Sequence, residues 1–415
     1  MYEKLINEIF YLNRSLLGAA NNEALDLISN YHSLQIRSFP TSQKVFDWSI
    51  PQEWILKKAL LKTIDGEVIC DATENILRIV NRSCSYEGTL SYEELLPHLY
   101  FSSEIDDAIP YRTSYYANNW GFCLTRHEFD NLDKNKDYIV DIEAIFVDSF
   151  LKTGELKIEG RSKKEIVFAA YLCHPLQSND GISGVACLLE IYDELLKKDN
   201  YYTYRFFFIP ETIGPITLLA NKVIDPENTD FCFVVTCVAN GETINYKKTY
   251  LGNHPIDNIV SCIDGIKCLD FFPNGSDERQ FSSPKIRIPT SSIMYKMYGK
   301  YKEYHTSLDN LDFFKYSKVV EMSKVYLKVL DEYENRKCYI VSHGGCEPFL
   351  SGKGLYRSTG GSRDTEYDTL RNWVIFYSDG TKSPLDISLA LNQPLEKIEE
   401  MIDVLSQKDV IRISK

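Results

Sequence analysis

The chain has 415 residues, of which 44% are hydrophobic and 25% are charged, and it carries a formal net charge of −13. This length predicts two or three domains, and the composition is that of a folded protein with ample material for a core. The acidic balance argues against a general polyphosphate-binding surface, so nucleic acid is not an expected partner unless a small domain has one basic face.

Nothing in the sequence indicates a membrane or a secreted protein. No apolar run reaches the roughly 18 residues that span a bilayer, and the N-terminus MYEKLINEIFYLNRSLL is amphipathic and charged rather than signal-like. The eleven cysteines include no CxxC pair, which is typical of reduced, mostly buried thiols. We therefore expect a cytoplasmic protein with no membrane partner.

The first part of the chain predicts helices followed by a β-rich segment. Apolar residues recur at helical intervals over residues 1 to about 35, with a break near Gly18. From Phe39, prolines, a DG turn at Asp65-Gly66 and short strand-like runs predict a compact β-rich insert. Two alternating runs, DYIVDIEAIFVDS and GELKIEG, then predict a hairpin or a pair of adjacent strands.

The following segment alternates between strand-like and helix-like runs. EIVFAAYLC, YRFFFIP and FCFVVTCV are continuous apolar runs, as in strands covered on both faces, and the helix-like ISGVACLLEIYDELLKK lies between the first two. This order predicts a largely parallel sheet flanked by helices. A long helix is predicted from about Leu311 to Tyr333, and the last stretch has the order of a winged helix-turn-helix.

Polar side chains follow two neighbouring strands of the predicted sheet. His174 ends the first apolar run, with Asp180 six residues on, and Glu211 follows the second run. Ligands of open α/β sheets bind beyond the carboxyl ends of the strands, and hydrolytic zinc sites use three His or carboxylate ligands. His174, Asp180 and His305 would supply that set, with Glu211 as a free carboxylate to accept a proton. Spacing alone is weak evidence, because no two of these ligands share a helix.

Each of these residues also has an ordinary structural interpretation. His174 and His305 are compatible with histidines at strand ends, and Asp180 is compatible with an N-cap of the helix that follows it. Glu211 is compatible with a helix N-terminus, where a carboxylate complements the helix dipole. Asp309 is predicted to cap the following helix rather than to act in catalysis.

Several segments resemble those of the M28-type zinc aminopeptidases. They occur in the family's order along nearly the whole chain: LCHP and NDGISGV, FIPETIG, YHTSLDN, VFDWSIPQEW, PYRTSYY, WGFC, GSDERQF, and CEPFL with GLY. The chain is most similar to a bacterial branch known by domain-of-unknown-function names, which has an inserted small domain and a C-terminal winged helix. Members of this branch are often linked with surface-polysaccharide synthesis.

The resemblance implies an α/β fold with a mostly parallel-sheet, zinc exopeptidase core. Residues 1–40 and 133–335 would form this aminopeptidase-like domain, residues 41–132 an inserted β-rich domain, and residues 336–415 a winged-helix domain. By position, the resemblance implies that Glu211 is the general base. It also implies three metal ligands, His174, Asp180 and His305, of which Asp180 is the one shared between metals.

Three departures from the family pattern bear on the number of metals. M28 peptidases with two zincs usually have a Glu directly after the base, an Asp on the next strand and an Asp two residues after the first His. These positions are Thr212, Thr236 and Leu176 here. Because none of these side chains is a good zinc ligand, we expect one Zn²⁺ per chain.

Two further clusters are candidates for substrate binding. Arg112 and Tyr115 lie in PYRTSYY, where an arginine among aromatics suits a carboxylate or other anionic group, or alternatively inter-domain packing. Asp277 and Arg279 lie in GSDERQF, a segment that lines the substrate pocket in the peptidases that the chain resembles. The alternative is that these two residues hold their own loop as a pair.

The sequence therefore predicts a zinc-dependent hydrolase of peptide or related amide bonds, most simply an aminopeptidase, with Glu211 as general base. An amidase for an N-acylated sugar and a catalytically weakened, peptidase-like binding or regulatory protein are the alternatives. The winged-helix segment PLEKIEEMIDVLSQKD is acidic, which favours protein contact or dimerisation over DNA. A homo-oligomer is compatible with this composition.

Overall fold

The computed structural model describes residues 2–356 and 366–414. The chain divides into a larger unit, Met1–Leu251 with Gly265–Leu327, and a smaller unit, Gly252–Asp264 with Lys328–Lys415. Within the described ranges, no helix has both the length and the apolar character needed to cross a membrane.

The first half of the chain is mostly β-structure. Its helices are α1 (Glu3–Phe10), α2 (Ala19–Ser29), α3 (Tyr92–Leu95) and α4 (Arg126–Asp130). Its strands are β1 (Gln35–Pro40), β2 (Lys44–Val45), β3 (Trp48–Ser49), β4 (Glu53–Thr63), β5 (Val68–Asp71), β6 (Tyr86–Ser91), β7 (Leu99–Tyr100), β8 (Phe122–Cys123), β9 (Asp137–Val147) and β10 (Phe150–Ile158).

The second half alternates strands and helices and ends in a helical module. Its strands are β11 (Glu165–Tyr171), β12 (Thr203–Ile209), β13 (Thr229–Val234), β14 (Ile244–Lys247), β15 (Ile266–Leu269), β16 (Thr290–Met294), β17 (Tyr339–Val341) and β18 (Ile411–Ile413). Its helices are α5 (Ser183–Leu195), α6 (Ile213–Ala220), α7 (Pro255–Ser261), α8 (Glu278–Phe281), α9 (Tyr316–Glu334), α10 (Glu366–Tyr377), α11 (Pro384–Leu391) and α12 (Leu395–Gln407).

The larger unit is organised around an eight-stranded sheet in the order β1-β10-β12-β11-β13-β16-β14-β15. The four central strands run parallel, since β11 pairs in parallel with β12 and β13, and β13 pairs in parallel with β16. Antiparallel pairs occur towards both edges, at β1 with β10, β10 with β12, and β14 with β16. The predicted α/β fold with a mostly parallel core is confirmed.

Strand β11 is covered on both faces, which explains its unbroken apolar sequence. Residues 166–171 are all buried, and the Phe168 ring stacks on Phe206 with centroids 5.0 Å apart. In the first turn of α5, a Cβ added to Gly184 would lie 1.9 Å from the carbonyl oxygen of Val235. Glycine therefore allows α5 to begin directly against the carboxyl end of the sheet.

A separate four-stranded antiparallel sheet has the order β5-β4-β9-β6. The two alternating runs of the sequence correspond to β9 and β10, but β9 pairs with β4 and β6, whereas β10 pairs with β1 and β12. Their predicted pairing as a hairpin or adjacent strands is wrong, because alternation shows that one face is buried but not which sheet the strand joins. The predicted domain boundaries stay predictions.

Within the smaller unit, the described part of residues 337–413 has α10, α11 and α12 between the paired strands β17 and β18, the order expected of a winged helix. β17 and β18 pair antiparallel, and Ser383 and Asp386 form a capping box at the start of α11. The core of this unit is apolar and combines residues from α10, α11, α12 and β18, among them Val374, Ile387, Ile398, Met401, Ile402, Leu405 and Ile411.

Candidate active site

An irregular turn after β11 carries two of the predicted metal ligands. His174 is buried, with 5% of its surface exposed, and Asp180 is fully buried. The backbone departs from helical angles at Asp180 (ψ 99°) and Gly181 (φ 112°), and α5 begins only at Ser183, without a side-chain cap. Asp180 therefore does not cap α5, and its carboxylate points elsewhere.

Asp309 braces this turn from a distant part of the chain. Its carboxylate accepts the backbone N–H groups of Ser178 (3.2 Å), Asn179 (2.6 Å) and Asp180 (2.9 Å). The Ser178 hydroxyl also donates to it, at 2.9 Å. The prediction that Asp309 caps the following helix is wrong, because that helix begins at Tyr316 and the carboxylate is engaged by the Asp180 turn.

The predicted metal ligands converge. His174, Asp180 and His305 each offer a ligand atom, and these atoms lie within 4.8 Å of one another. Asp180 Oδ2 and His305 Nε2 are in contact at 2.9 Å, and neither atom forms a hydrogen bond of good geometry with any group in the part of the chain that the structure describes. Buried polar atoms nearly always form such bonds, so two ligand atoms that face only each other fit a shared cation. Two imidazoles and a carboxylate match the donor set of hydrolytic zinc sites.

The second oxygen of Asp180 is already engaged by hydroxyl groups. Tyr171 donates a hydrogen bond to Asp180 Oδ1, and Thr236 donates to the same oxygen at 3.2 Å. The Thr236 hydroxyl also accepts the N–H of Gly181 at 3.1 Å, which fixes its orientation. Two hydroxyl donors therefore occupy the face of Asp180 that lies towards Thr236.

Glu211 follows β12 and lies opposite His174, with 3.7 Å between Glu211 Oε2 and His174 Nε2. The next residue, Thr212, has φ 65°, a conformation that is uncommon for residues other than glycine. Its N–H donates to Asp277 Oδ1 at 2.7 Å, and its hydroxyl accepts from Arg279 at 3.2 Å. Asp277 and Arg279 thus hold the turn that carries Glu211, and their part in substrate binding stays a prediction.

Burial controls the protonation of these groups. Burial, reinforced by His305, lowers the pKa of His174 to about 4. Burial alone would raise the pKa of Asp180, but the His305 and His174 imidazoles outweigh it and hold this pKa at about 2. Burial, and then the carboxylates of Asp277 and Asp180, raises the pKa of Glu211 well above its ordinary value. A neutral imidazole and an ionised carboxylate are the forms that bind metals.

Tyrosine rings set the orientation of the two imidazoles. Tyr304 stacks on His305 with centroids 4.0 Å apart, and Tyr111 contacts both His174 and His305 edge-on at 5.2 Å. Burial, and then the carboxylate of Glu211, raises the pKa of the Tyr115 phenol. Its predicted contact with substrate stays a prediction.

A cleft of about 660 Å³ opens at His305 and is lined by residues 101–104, 110–113, 299–302 and 304–306. The His305 side chain is 34% exposed, whereas those of His174 and Asp180 are 6% and 0% exposed. The candidate site is therefore reached from the His305 side. Arg112 is exposed in the lining of this cleft, with its guanidinium 4.7 Å from the centroid of the Tyr100 ring.

Comparisons with known proteins agree with this architecture. Residues 3–336 match a family model described as a domain of unknown function, DUF4910, and residues 337–413 match a winged helix-turn-helix model. A Clostridium acetobutylicum protein is 39% identical over 99% of this chain and 95% of its own length. Its provisional name is polysaccharide biosynthesis protein with aminopeptidase-like domain.

Solved structures support the same fold. A crystal structure of a provisionally named peptidase from Clostridium acetobutylicum has a TM-score of 0.77 and 36% identity, and covers 99% of this chain and 95% of that one. A zinc aminopeptidase from Bacillus subtilis has a TM-score of 0.55 and 13% identity, with 80% and 95% of the two chains covered. The predicted resemblance to M28-type aminopeptidases and the predicted C-terminal winged helix are confirmed.

The sequence does not predict three of the contacts that Asp180 and its turn make. Asp309, Tyr171 and Thr236 contact its turn or its carboxylate from segments that are separate in sequence. In the sequence, Tyr171 resembles any other strand residue, and Thr236 stands where two-zinc peptidases have a ligand. Only the structure shows that both hydroxyl groups donate to Asp180.

Proposed function

We propose that this chain, which belongs to the family described as DUF4910 and carries a winged helix-turn-helix, is a zinc-dependent hydrolase of peptide or related amide bonds. The observation that carries the proposal is the contact of Asp180 Oδ2 with His305 Nε2, two ligand atoms without a hydrogen bond of good geometry in the described residues, with Glu211 close by. His174, Asp180 and His305 would hold the zinc ion.

Zinc in such a site acts as a Lewis acid towards an amide carbonyl and lowers the pKa of water to about 7. Glu211 takes a proton from the attacking water and passes it to the leaving amine nitrogen. The turn held by Asp277 and Arg279 keeps this carboxyl beside His174.

The surroundings of Asp180 support one zinc per chain rather than two. Its Oδ1 atom is occupied by the hydroxyl groups of Tyr171 and Thr236, which leaves Oδ2 for a metal. At another of the three positions where two-zinc peptidases have a ligand, Thr212 is engaged by Asp277 and Arg279. Metal analysis of protein purified without chelator should give about one zinc per chain, and about two would contradict this proposal.

Replacement of Glu211 by Gln tests the proton transfer. We expect kcat with aminoacyl p-nitroanilides to fall roughly 10²- to 10⁴-fold, the usual contribution of a general base, while zinc content is unchanged. Glu227→Gln, an exposed carboxylate on a loop before β13, is the matched control and should keep full activity. Undiminished turnover in Glu211→Gln would remove this residue from the mechanism.

The name of the Clostridium relative favours a second substrate class, an N-acylated sugar used in surface-polysaccharide synthesis. The same centre would then release an acyl group from an amino sugar. Hydrolysis of N-acetylated amino sugars without cleavage of aminoacyl anilides would select this amidase. A chain that binds zinc and cleaves neither class of amide would instead be a peptidase-like binding or regulatory protein.

A further inference from the structure

The cleft at His305 has an unusual charge for this protein. Three cationic side chains line it, Arg112, Lys300 and Lys302, against one carboxylate, Glu104. Arg112, Lys300 and Lys302 are exposed, in a chain whose formal net charge is −13. A local excess of positive charge in an acidic protein is a feature of the cleft rather than of the surface as a whole.

These cations have no carboxylate partners. Within residues 2–356 and 366–414, none of the three has a carboxylate oxygen within 4.0 Å, and the Arg112 guanidinium contacts only the face of the Tyr100 ring. By contrast, the buried Arg205 binds both Glu155 and Glu165, at 2.6 and 2.9 Å. Unpaired cations that face a cleft are available to an anionic ligand.

The position of the cleft connects these charges to the chemistry. His305 is the one predicted ligand with a substantially exposed side chain, and it lies in the lining of the same cleft. Arg112 is held against Tyr100 on one wall, and Lys300 and Lys302 lie on the segment that leads to His305. The cleft that opens at His305 is therefore lined by all three side chains, and the two lysines also border a neighbouring pocket.

We propose that the substrate carries an anionic group, a carboxylate or a phosphate, which Arg112, Lys300 and Lys302 bind while the scissile amide lies at His305. The inference rests on the proposed hydrolase and specifies its substrate class. Arginine offers paired N–H donors to either group, and the lysines add mobile point charges. A neutral analogue of the same size loses these contacts.

Equilibrium binding tests the charge requirement. The ligands are two matched pairs, L-glutamic acid α-amide against L-glutamine α-amide, and O-phospho-L-serine amide against L-serine amide. Titration calorimetry uses the zinc-loaded full chain with Glu211→Gln, in which the amide ligands are not turned over. At low salt it should give Kd values about tenfold lower for the anionic member of at least one pair, which is about 1.4 kcal/mol. The pair with the larger gap identifies the carboxylate or the phosphate as the preferred group.

Variants assign the preference to the cleft. Lys300→Gln/Lys302→Gln should bring the two Kd values of a pair together, as should 1 M salt, at which the Debye length is about 3 Å. Lys163→Gln/Lys164→Gln removes the same charge from exposed lysines before β11, at the opposite end of the strand from His174, and should keep the gap. Circular dichroism checks that both variants are folded.

Equal or undetectable binding of both members in both pairs would overturn the inference, and so would a gap that survives in Lys300→Gln/Lys302→Gln. The outcome is separable from that of the proposed function. An anion preference in a chain that hydrolyses no amide contradicts the hydrolase alone. Hydrolysis of neutral and anionic amides at equal kcat/KM contradicts the anion site alone.

Discussion

The cleft at His305 and helix α12 carry opposite charges. The cleft presents Arg112, Lys300 and Lys302 around a candidate metal site. Helix α12, the second helix of the helix-turn-helix pair, instead exposes four carboxylates and one lysine, namely Glu396, Glu399, Glu400, Asp403 and Lys397. The helix thus has the charge opposite to that of a DNA-binding recognition helix, and the cleft has the charge opposite to that of the chain as a whole.

The difference shows that a fold specifies where a ligand binds, and that local charge specifies which ligand. A winged helix offers a helix to the DNA groove, but carboxylates on that helix repel phosphates. An aminopeptidase-like sheet offers a metal site at its carboxyl edge, and unpaired cations nearby favour anions over neutral peptides. Substitutions in the two regions test this contrast.

Asp180→Asn should severely weaken zinc binding and abolish hydrolysis at the candidate metal site. The carboxylate supplies the only negative charge of the three predicted ligands, so we expect zinc affinity to fall by more than about a hundredfold and hydrolysis to be lost. Zinc competition with a chelating dye measures the affinity. Asp199→Asn, an exposed carboxylate, is the control. Zinc bound equally well by Asp180→Asn would remove Asp180 from the site.

Asp309→Ala should weaken the same site indirectly. Asp309 accepts three backbone N–H groups of the turn that presents Asp180, and loss of such an orienting contact typically costs 10- to 100-fold in metal affinity. The dye competition assay reports the zinc affinity. Asp312→Asn is a neighbouring exposed control. Unchanged zinc affinity in a folded Asp309→Ala protein would show that the turn holds its shape without this brace.

The acidic face of α12 predicts that the full chain does not bind duplex DNA. Electrophoretic mobility at 50 mM salt should show no shift for the wild type. Reversal of charge in Glu396→Lys/Glu400→Lys/Asp403→Lys should produce weak binding that falls as salt rises, because each new phosphate contact releases counterions. A salt-dependent shift with the wild-type chain would contradict the contrast between the two regions.

Thr236→Val should have the smallest effect. It removes the hydroxyl that donates to Asp180 and accepts the N–H of Gly181, while the shape of the side chain is kept. The free energy of unfolding should fall by about 1–3 kcal/mol, the cost of leaving buried polar groups without partners. Urea denaturation of the metal-free protein measures it, with Thr73→Val on an exposed turn as control. An unchanged unfolding free energy would show that the hydroxyl is dispensable.

Much of the fold and the candidate ligand set could be predicted from the sequence alone. The continuous apolar runs of β11, β12 and β13 indicate strands covered on both faces, and His174, Asp180 and Glu211 lie where such strands end. His305 completes the predicted ligand set by its residue type, and the family motifs, rather than spacing, support its place there. These features are local, because strand periodicity and short motifs depend on neighbouring residues.

Tertiary structure alone decided the remaining features of the site. The hydroxyl of Thr236 and the carboxylate of Asp309 meet the Asp180 turn from segments 56 and 129 residues away. Likewise, Arg112 and the two lysines near residue 300 come together only at the cleft. The pairing of β9 and β10 with different sheets has the same origin. Side-chain alternation and residue type leave no local record of which distant segment will be the partner.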